Sequence, residues 1–181
     1  EIIDRLLAPG GVAIVDPAMA DNGKLYSGFD EDYVRAIGSL AGKADIMLPN
    51  VTEAAILSGL PYQENIDRNY VNQLLNGLNH PCAVLTGVDF DEDSTGIVLQ
   101  EGTVQHEYRH KRIGNGCHGT GDIFAAVFTG ALMQGKNRLD AAKIAADFTC
   151  RCIKNTVNAP AHWYGVKFEP LLPELMEMPG R

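Results

Sequence analysis

Gly119-Thr120-Gly121-Asp122 stands directly before the most apolar helical stretch of the chain, residues 123–133. Glycines at such a junction let the backbone turn sharply and present N–H groups with no side chain in the way. Free N–H groups at a helix start, aligned with its dipole, make an anion site suited to a phosphoryl group in transfer. In that reading Gly119, Thr120 and Gly121 cradle the transferring group, and Asp122 accepts the proton of a substrate hydroxyl. The same four residues also fit an ordinary helix cap, in which Thr120 or Asp122 satisfies orphan amides. Local pattern leaves both readings open.

Asn50-Val51-Thr52-Glu53 is two-sided in the same way. Asn50 as N-cap and Glu53 three residues later form a capping-box pair, worth about 1 kcal/mol. Alternatively Glu53 lies near a hydrated Mg²⁺ that bridges nucleotide phosphates, since magnesium prefers oxygen ligands and keeps its waters. Both readings can hold for different atoms. The polar loop from Asp16 to Tyr26 carries Asn22-Gly23, a turn signal. Its second reading is a loop whose carboxylates, Asp16 and Asp21, face a metal–phosphate site.

Other polar residues carry weaker signals. The run from His106 to Arg112 alternates and has acidic neighbours, which reads as a solvated edge strand rather than a nucleic-acid surface. Lys111 and Arg112 remain candidates for a nucleotide-phosphate contact. His118 either orients the glycine loop or is a plain hydrogen-bonded loop histidine. Trp163 and Tyr164 are expected to pack the tail onto the body.

These residues need a scaffold, and the hydrophobic pattern outlines one. Residues 12–15, 46–48 and 82–85 read as short buried strands. Residues 33–40 (capped by Asp30), 51–58 (stopped by Gly59 and Pro61) and 70–78 read as helices. Residues 96–99 and 103–108 read as an antiparallel hairpin at the sheet edge. Residues 123–133 are apolar nearly all round and are expected to be buried. A last helix over 137–156 opens on Asn137 and Asp140, spaced as N-cap and N3. The tail to Arg181 is expected to be loosely structured, and an opening helix through residues 2–7 to stop at Pro9-Gly10-Gly11. Alternating strands and helices predict an α/β fold, three-layer α/β/α with an open, mostly parallel sheet. Ligands of such sheets bind beyond the carboxyl ends of the strands, and Asp16, Asn50 and Thr86-Gly87 follow three of them.

Composition bounds the function class. With 181 residues, 45% hydrophobic and 21% charged, the chain suits one domain, taken as residues 1–181. No apolar run approaches a membrane span, and a net charge of −8 opposes a nucleic-acid surface. Cys82, Cys117, Cys150 and Cys152 form no CxxC pair, so free thiols and the cytoplasm are expected.

In order along the chain, Asp16-Pro17 with Asp21 and Tyr26, Leu48-Pro49-Asn50 with Glu53, Thr86-Gly87, and His118-Gly119-Thr120-Gly121-Asp122 resemble the ribokinase-like superfamily. Within it the set is most similar to the pyridoxal (pyridoxamine) kinases. The resemblance implies a ribokinase-like fold and ATP- and Mg²⁺-dependent phosphorylation of the hydroxymethyl group of a vitamin B6 vitamer. It implies Asp122 as base and the Gly119–Gly121 backbone as phosphoryl cradle. Asp16, Asp21, Asn50 and Glu53 would lie around Mg²⁺ and the phosphates, Thr86 and Gly87 would meet the ATP phosphates, and Tyr26 would flank the nucleotide. The helix over 137–156 would line the adenine side. A homodimer is implied, as is a preceding segment that supplies early strands and part of the substrate pocket. Leu48 stands where family members often carry threonine. Kinases of hydroxymethylpyrimidine, the close alternative, typically have cysteine at the position of Asp122. A non-catalytic nucleotide-binding paralogue is the alternative from another class.

Overall fold

A computed structural model describes residues 3, 5, 7–114, 117–157, 159 and 165–176. They fall into two compact units, residues 1–90 with 96–107 and residues 91–95 with 108–181.

Three parallel strands organise the first unit. In strands β1 (Ile14–Val15), β4 (Ile46–Met47) and β5 (Cys82–Asp89), Ile14 pairs with Ile46, Val15 with Met47, and Met47 with Ala83. Ile46, Met47 and the run from Cys82 to Leu85 are all buried, as expected of a parallel sheet covered by helices. The sheet has five strands in the order β1-β4-β5-β6-β7, with β6 at Ser94–Glu101 and β7 at Val104–Lys111. Residues 90–93 and 102–103 are too short to cross over, so β5–β6 and β6–β7 are antiparallel pairs. This is the mixed sheet, parallel at its core, that the strand–helix alternation predicts.

Side chains start the helices of this unit where the sequence places caps. Asp30 accepts from Tyr33 N at 2.9 Å and opens α1 (Glu31–Ala41). Asp67 accepts from Tyr70 N at 2.7 Å and opens α3 (Arg68–Leu78). Between them α2 (Val51–Ser58) ends on Gly59, whose φ of 72° suits glycine. Helix α2 packs on α3 and β5, and Ala54, Ala55, Leu74, Leu75, Leu85 and Val88 close the core there.

In the second unit α4 (Thr120–Met133) and α5 (Arg138–Val157) lie side by side. Asn137 caps α5, with Asp140 N donating to its Oδ1 at 2.8 Å.

The structure departs from the sequence reading in three places. Strand β5 runs on to Asp89, so Thr86 and Gly87 lie within it rather than after its end. Its partner β4 stops at Met47, leaving an Asn50–Thr86 bridge on that side, while β6 is its neighbour on the other. Helix α4, apolar nearly all round, buries only Phe124, Val127, Phe128 and Ala131, and Met133 is 85% exposed. Ile123, Ala126 and Gly130, with Val127 and Ala131, border an apolar cavity of about 220 Å³ closed in part by Phe148, Phe168, Leu172 and Leu175. The tail is more ordered than expected. A 3₁₀ turn at Glu169–Leu171 leads into α6 (Leu172–Met176), and Glu174 pairs with Arg151 at 3.1 Å. Pro170 and Pro173 sit in the first turns, where a missing N–H costs nothing.

Trp163 and Tyr164 lie outside the described residues, as do residues 2, 4 and 6 of the expected opening helix, in which Leu7 N donates to Ile3 O at 2.9 Å. Among the described residues no helix is long and apolar enough to cross a membrane.

Candidate active site

The capping box at the start of α2 is fully formed. Glu53 N donates to Asn50 Oδ1 and Asn50 N to Glu53 Oε2, each at 2.9 Å. Both side chains also reach beyond the helix. Asn50 Nδ2 donates to Ala20 O at 2.8 Å, and Glu53 Oε1 accepts from Met19 N at 3.0 Å and Ala20 N at 3.5 Å. Glu53 is only 2% exposed. Burial pushes its carboxyl up from 4.5 to about 7; the amides of Asn50 and Met19 oppose this rise, and the charge of Asp16 adds to it. The cap is therefore also the tether of the Asp16–Tyr26 loop. Asn50→Ala should lower stability by about 1–2 kcal/mol, read as a shift in the urea midpoint.

That loop contains a hairpin, β2 (Ala20–Asp21) and β3 (Lys24–Leu25), with Ala20 opposite Leu25. Asn22 (φ 51°) and Gly23 (φ 75°) make the two-residue turn, the conformation for which Asn-Gly is favoured. Asp21 is exposed, and its carboxylate accepts from Asn22 N at 2.9 Å and from Asn22 Nδ2 at 3.1 Å. Tyr26 is 46% exposed, donates through its backbone to Met19 O at 2.9 Å, and tilts against Phe29. Thr86 N donates to Pro49 O at 2.9 Å, and its hydroxyl donates to the same oxygen at 3.4 Å. Gly87, exposed with a φ of 66°, bends β5 just beyond. The first unit thus brings Asp16 to Glu53 and Thr86 to Asn50, at the carboxyl ends of β1 and β4.

In the second unit Gly119 opens α4 as a left-handed N-cap with a φ of 83°, and no side chain caps it. Among the described residues neither Thr120 nor Asp122 lends its side chain to the first-turn amides. Those N–H groups are left for solvent or an anion. Asp122 is exposed, and its Oδ2 lies 4.0 Å from where a Cβ on Gly119 would be, so the carboxylate overhangs the glycine turn. His118 contributes its backbone to the loop, its carbonyl accepting from Val166 N at 3.0 Å. Lys111 ends β7 with its side chain exposed. Arg112 donates through its amide to Asp93 O at 2.8 Å and through its guanidinium to Asp91 O at 3.5 Å.

The four cysteines are free thiols, and Cys150 Sγ lies 2.9 Å from His110 Nδ1. No group of three or more His, Cys, Asp or Glu placed to hold a metal ion occurs among the described residues. Asp16, Asp21 and Glu53 are hard oxygen donors of the kind Mg²⁺ prefers, and both Glu53 oxygens already accept backbone amides.

Two residues of this region carry no sequence signal that singles them out. Thr52, 3% exposed, accepts from Gly23 N at 3.0 Å, and Tyr62 lays its ring against Gly23. A threonine inside a capping motif and a tyrosine after a helix-ending proline read as packing; only the folded hairpin shows what they hold.

The chain is similar to proteins of known fold and family. Pyridoxal kinase from Lactobacillus plantarum superposes with a TM-score of 0.78 at 33% identity, covering 90% of this chain and 60% of that one. A putative phosphomethylpyrimidine kinase from Bacteroides thetaiotaomicron, crystallised with pyridoxal, superposes at 0.88 with 28% identity, covering 99% and 66%. The fold is thus the ribokinase-like one. In sequence, the family model for phosphomethylpyrimidine kinase matches residues 1–166, and the chain belongs to that family. It is 28% identical over 146 residues to hydroxymethylpyrimidine/phosphomethylpyrimidine kinase of Bacillus subtilis, which covers 80% of this chain and 54% of the relative. The chain spans about half the length of the curated relatives it matches.

Proposed function

We propose that this chain carries the phosphoryl-transfer residues of an ATP-dependent kinase that phosphorylates the 5′-hydroxymethyl group of a vitamin B6 vitamer (pyridoxal, pyridoxamine or pyridoxine). The observation that carries the reading is the start of α4, where Gly119 leaves the first-turn amides without a side-chain cap and Asp122 overhangs the turn. When bound, ATP supplies the phosphoryl group and Mg²⁺ offsets the charge of its oxygens. In this reading the amides of Gly119, Thr120 and Gly121 hold the charge of the group in transfer, and Asp122 takes the proton of the attacking hydroxyl. Asp16, Asp21, Asn50 and Glu53 orient the metal, in part through its waters. Thr86, Gly87 and Lys111 meet nucleotide phosphates, Tyr26 flanks the nucleotide, and α5 lines the adenine side. A homodimer in the cytoplasm completes the proposal; four free thiols suit a reducing compartment.

A second reading is a kinase of hydroxymethylpyrimidine in thiamine biosynthesis, which the family and the curated relatives favour. Aspartate rather than cysteine at position 122, with the likeness to a pyridoxal kinase, supports the B6 reading. A coupled assay with pyridoxal, pyridoxamine, pyridoxine and hydroxymethylpyrimidine separates them. Turnover of a B6 vitamer at least about ten-fold above that of hydroxymethylpyrimidine is expected, a gap of about 1.4 kcal/mol in transition-state binding. The reverse order selects the second reading, and turnover of none selects a non-catalytic paralogue.

A further inference from the structure

The turn that carries Asp21 is held at its tip by a residue to which neither motif nor resemblance gives a role. Gly23 is exposed as a residue, and its amide donates at 3.0 Å to the hydroxyl of Thr52, itself 3% exposed on the first turn of α2. Gly23 also packs against Tyr62, and a Cβ built on it would lie 2.6 Å from Cδ1 of that ring. Lower in the hairpin, Met19 N and Ala20 O are taken by Glu53 and Asn50. The Asp21 carboxylate is bound to Asn22, its neighbour in the turn, so its placement follows the turn. Burial pushes the Tyr62 phenol up, followed by the charges of Glu64, Asp21 and Asp89, which agrees with Asp21 standing close to that ring.

We infer that Thr52 is a positioning residue: its hydroxyl, with the Tyr62 ring beside it, holds the turn at residues 21–24 so that the Asp21 carboxylate is preset for magnesium–nucleotide binding. The clamp stands on the hydrogen bond and the ring contact. Its use in binding rests on the kinase reading above. Without the clamp Asp21 must be ordered when the ligand binds, so the loss falls on affinity rather than on the chemical step.

The test compares Thr52→Val, which keeps the branched shape and removes the acceptor, with Thr52→Ser, which keeps the acceptor. Hydrogen exchange at the Gly23 amide reads the clamp, titration calorimetry with Mg²⁺-ATP reads the affinity, and the coupled assay reads kcat and KM. In Thr52→Val, Gly23 exchange and the Kd for Mg²⁺-ATP should each rise about ten-fold, the scale of one hydrogen bond. Turnover at saturation should stay within about two-fold, and Thr52→Ser should restore both values. Unchanged exchange at Gly23 overturns the clamp. Faster exchange with unchanged Mg²⁺-ATP affinity overturns the positioning role. Wild-type protein that binds Mg²⁺-ATP yet turns over no acceptor overturns the kinase reading alone, and calorimetry then still decides the inference.

Discussion

Asp122→Ala should lower phosphoryl transfer by about 10²- to 10⁴-fold, the usual contribution of a positioned general base, while Mg²⁺-ATP affinity changes by no more than a few-fold. The structure makes this a clean test. Asp122 is exposed on the first turn of α4, with no hydrogen bond from its side chain to the first-turn amides among the described residues. Alanine therefore removes no packing, only the favourable placement of a negative charge at a helix start, on the order of 0.3–1 kcal/mol. A large fall in kcat with an intact melting transition separates chemistry from stability. Asp122→Asn keeps the shape and should be similarly impaired. Turnover within two-fold of wild type in either variant would sink the assignment of the base. Had α4 been capped by Asp122, the same substitution would instead act mainly on stability.

The second large effect is on stability against pH, and it belongs to Glu53. Its carboxyl is raised in the folded state to about 7 from an ordinary 4.5. Between these values the folded state holds a proton that the unfolded state has released, so the stability contributed by this group falls as pH rises. It is fully present below pH 4.5, lost through pH 7 and flat above, a span of about 3 kcal/mol. Urea unfolding of wild type and Glu53→Gln from pH 4 to 8 isolates the term, because the other titrating groups cancel in the difference. Wild-type stability should decline relative to the glutamine variant across that window; parallel profiles would show that Glu53 is not buried as a carboxyl. The variant also turns one carboxylate oxygen into an NH₂ group facing a backbone amide, an offset of about 1–3 kcal/mol that does not vary with pH. If Glu53 also orients the metal, Glu53→Gln should raise the Mg²⁺ concentration needed for half-maximal turnover. A variant that is less stable but needs no more Mg²⁺ leaves the carboxylate as cap and tether alone.

The site residues were legible to different depths. Asn50 and Glu53 announce a capping box by type and spacing, and the box is there. Asn22-Gly23 announces a tight turn, and both residues take the positive φ that such a turn demands. The apolar run ends at Leu85, so local composition places Thr86 and Gly87 after the strand. They belong to it because β5 runs on to Asp89 beside β6 after β4 has stopped at Met47, a matter of neighbours and not of local composition. The exposed side of α4 escaped for the same kind of reason. Hydropathy states what a helix can bury, whereas Met133 at 85% exposure reflects what stands beside it.

By itself the sequence determined which residues are available for the proposed phosphoryl transfer, the order of the elements that carry them, and the caps and turns that start and stop those elements. These are local matters, settled within four residues by backbone geometry and hydrogen-bond chemistry. Only the tertiary structure decided that the first turn of α2 reaches across some 30 residues of chain to hold the Asp16–Tyr26 loop, with Glu53 on Met19, Asn50 on Ala20 and Thr52 on Gly23. It likewise decided that Gly119 opens α4 uncapped. Hydrogen bonds between distant segments depend on where packing leaves each group relative to water. No spacing along the chain encodes that.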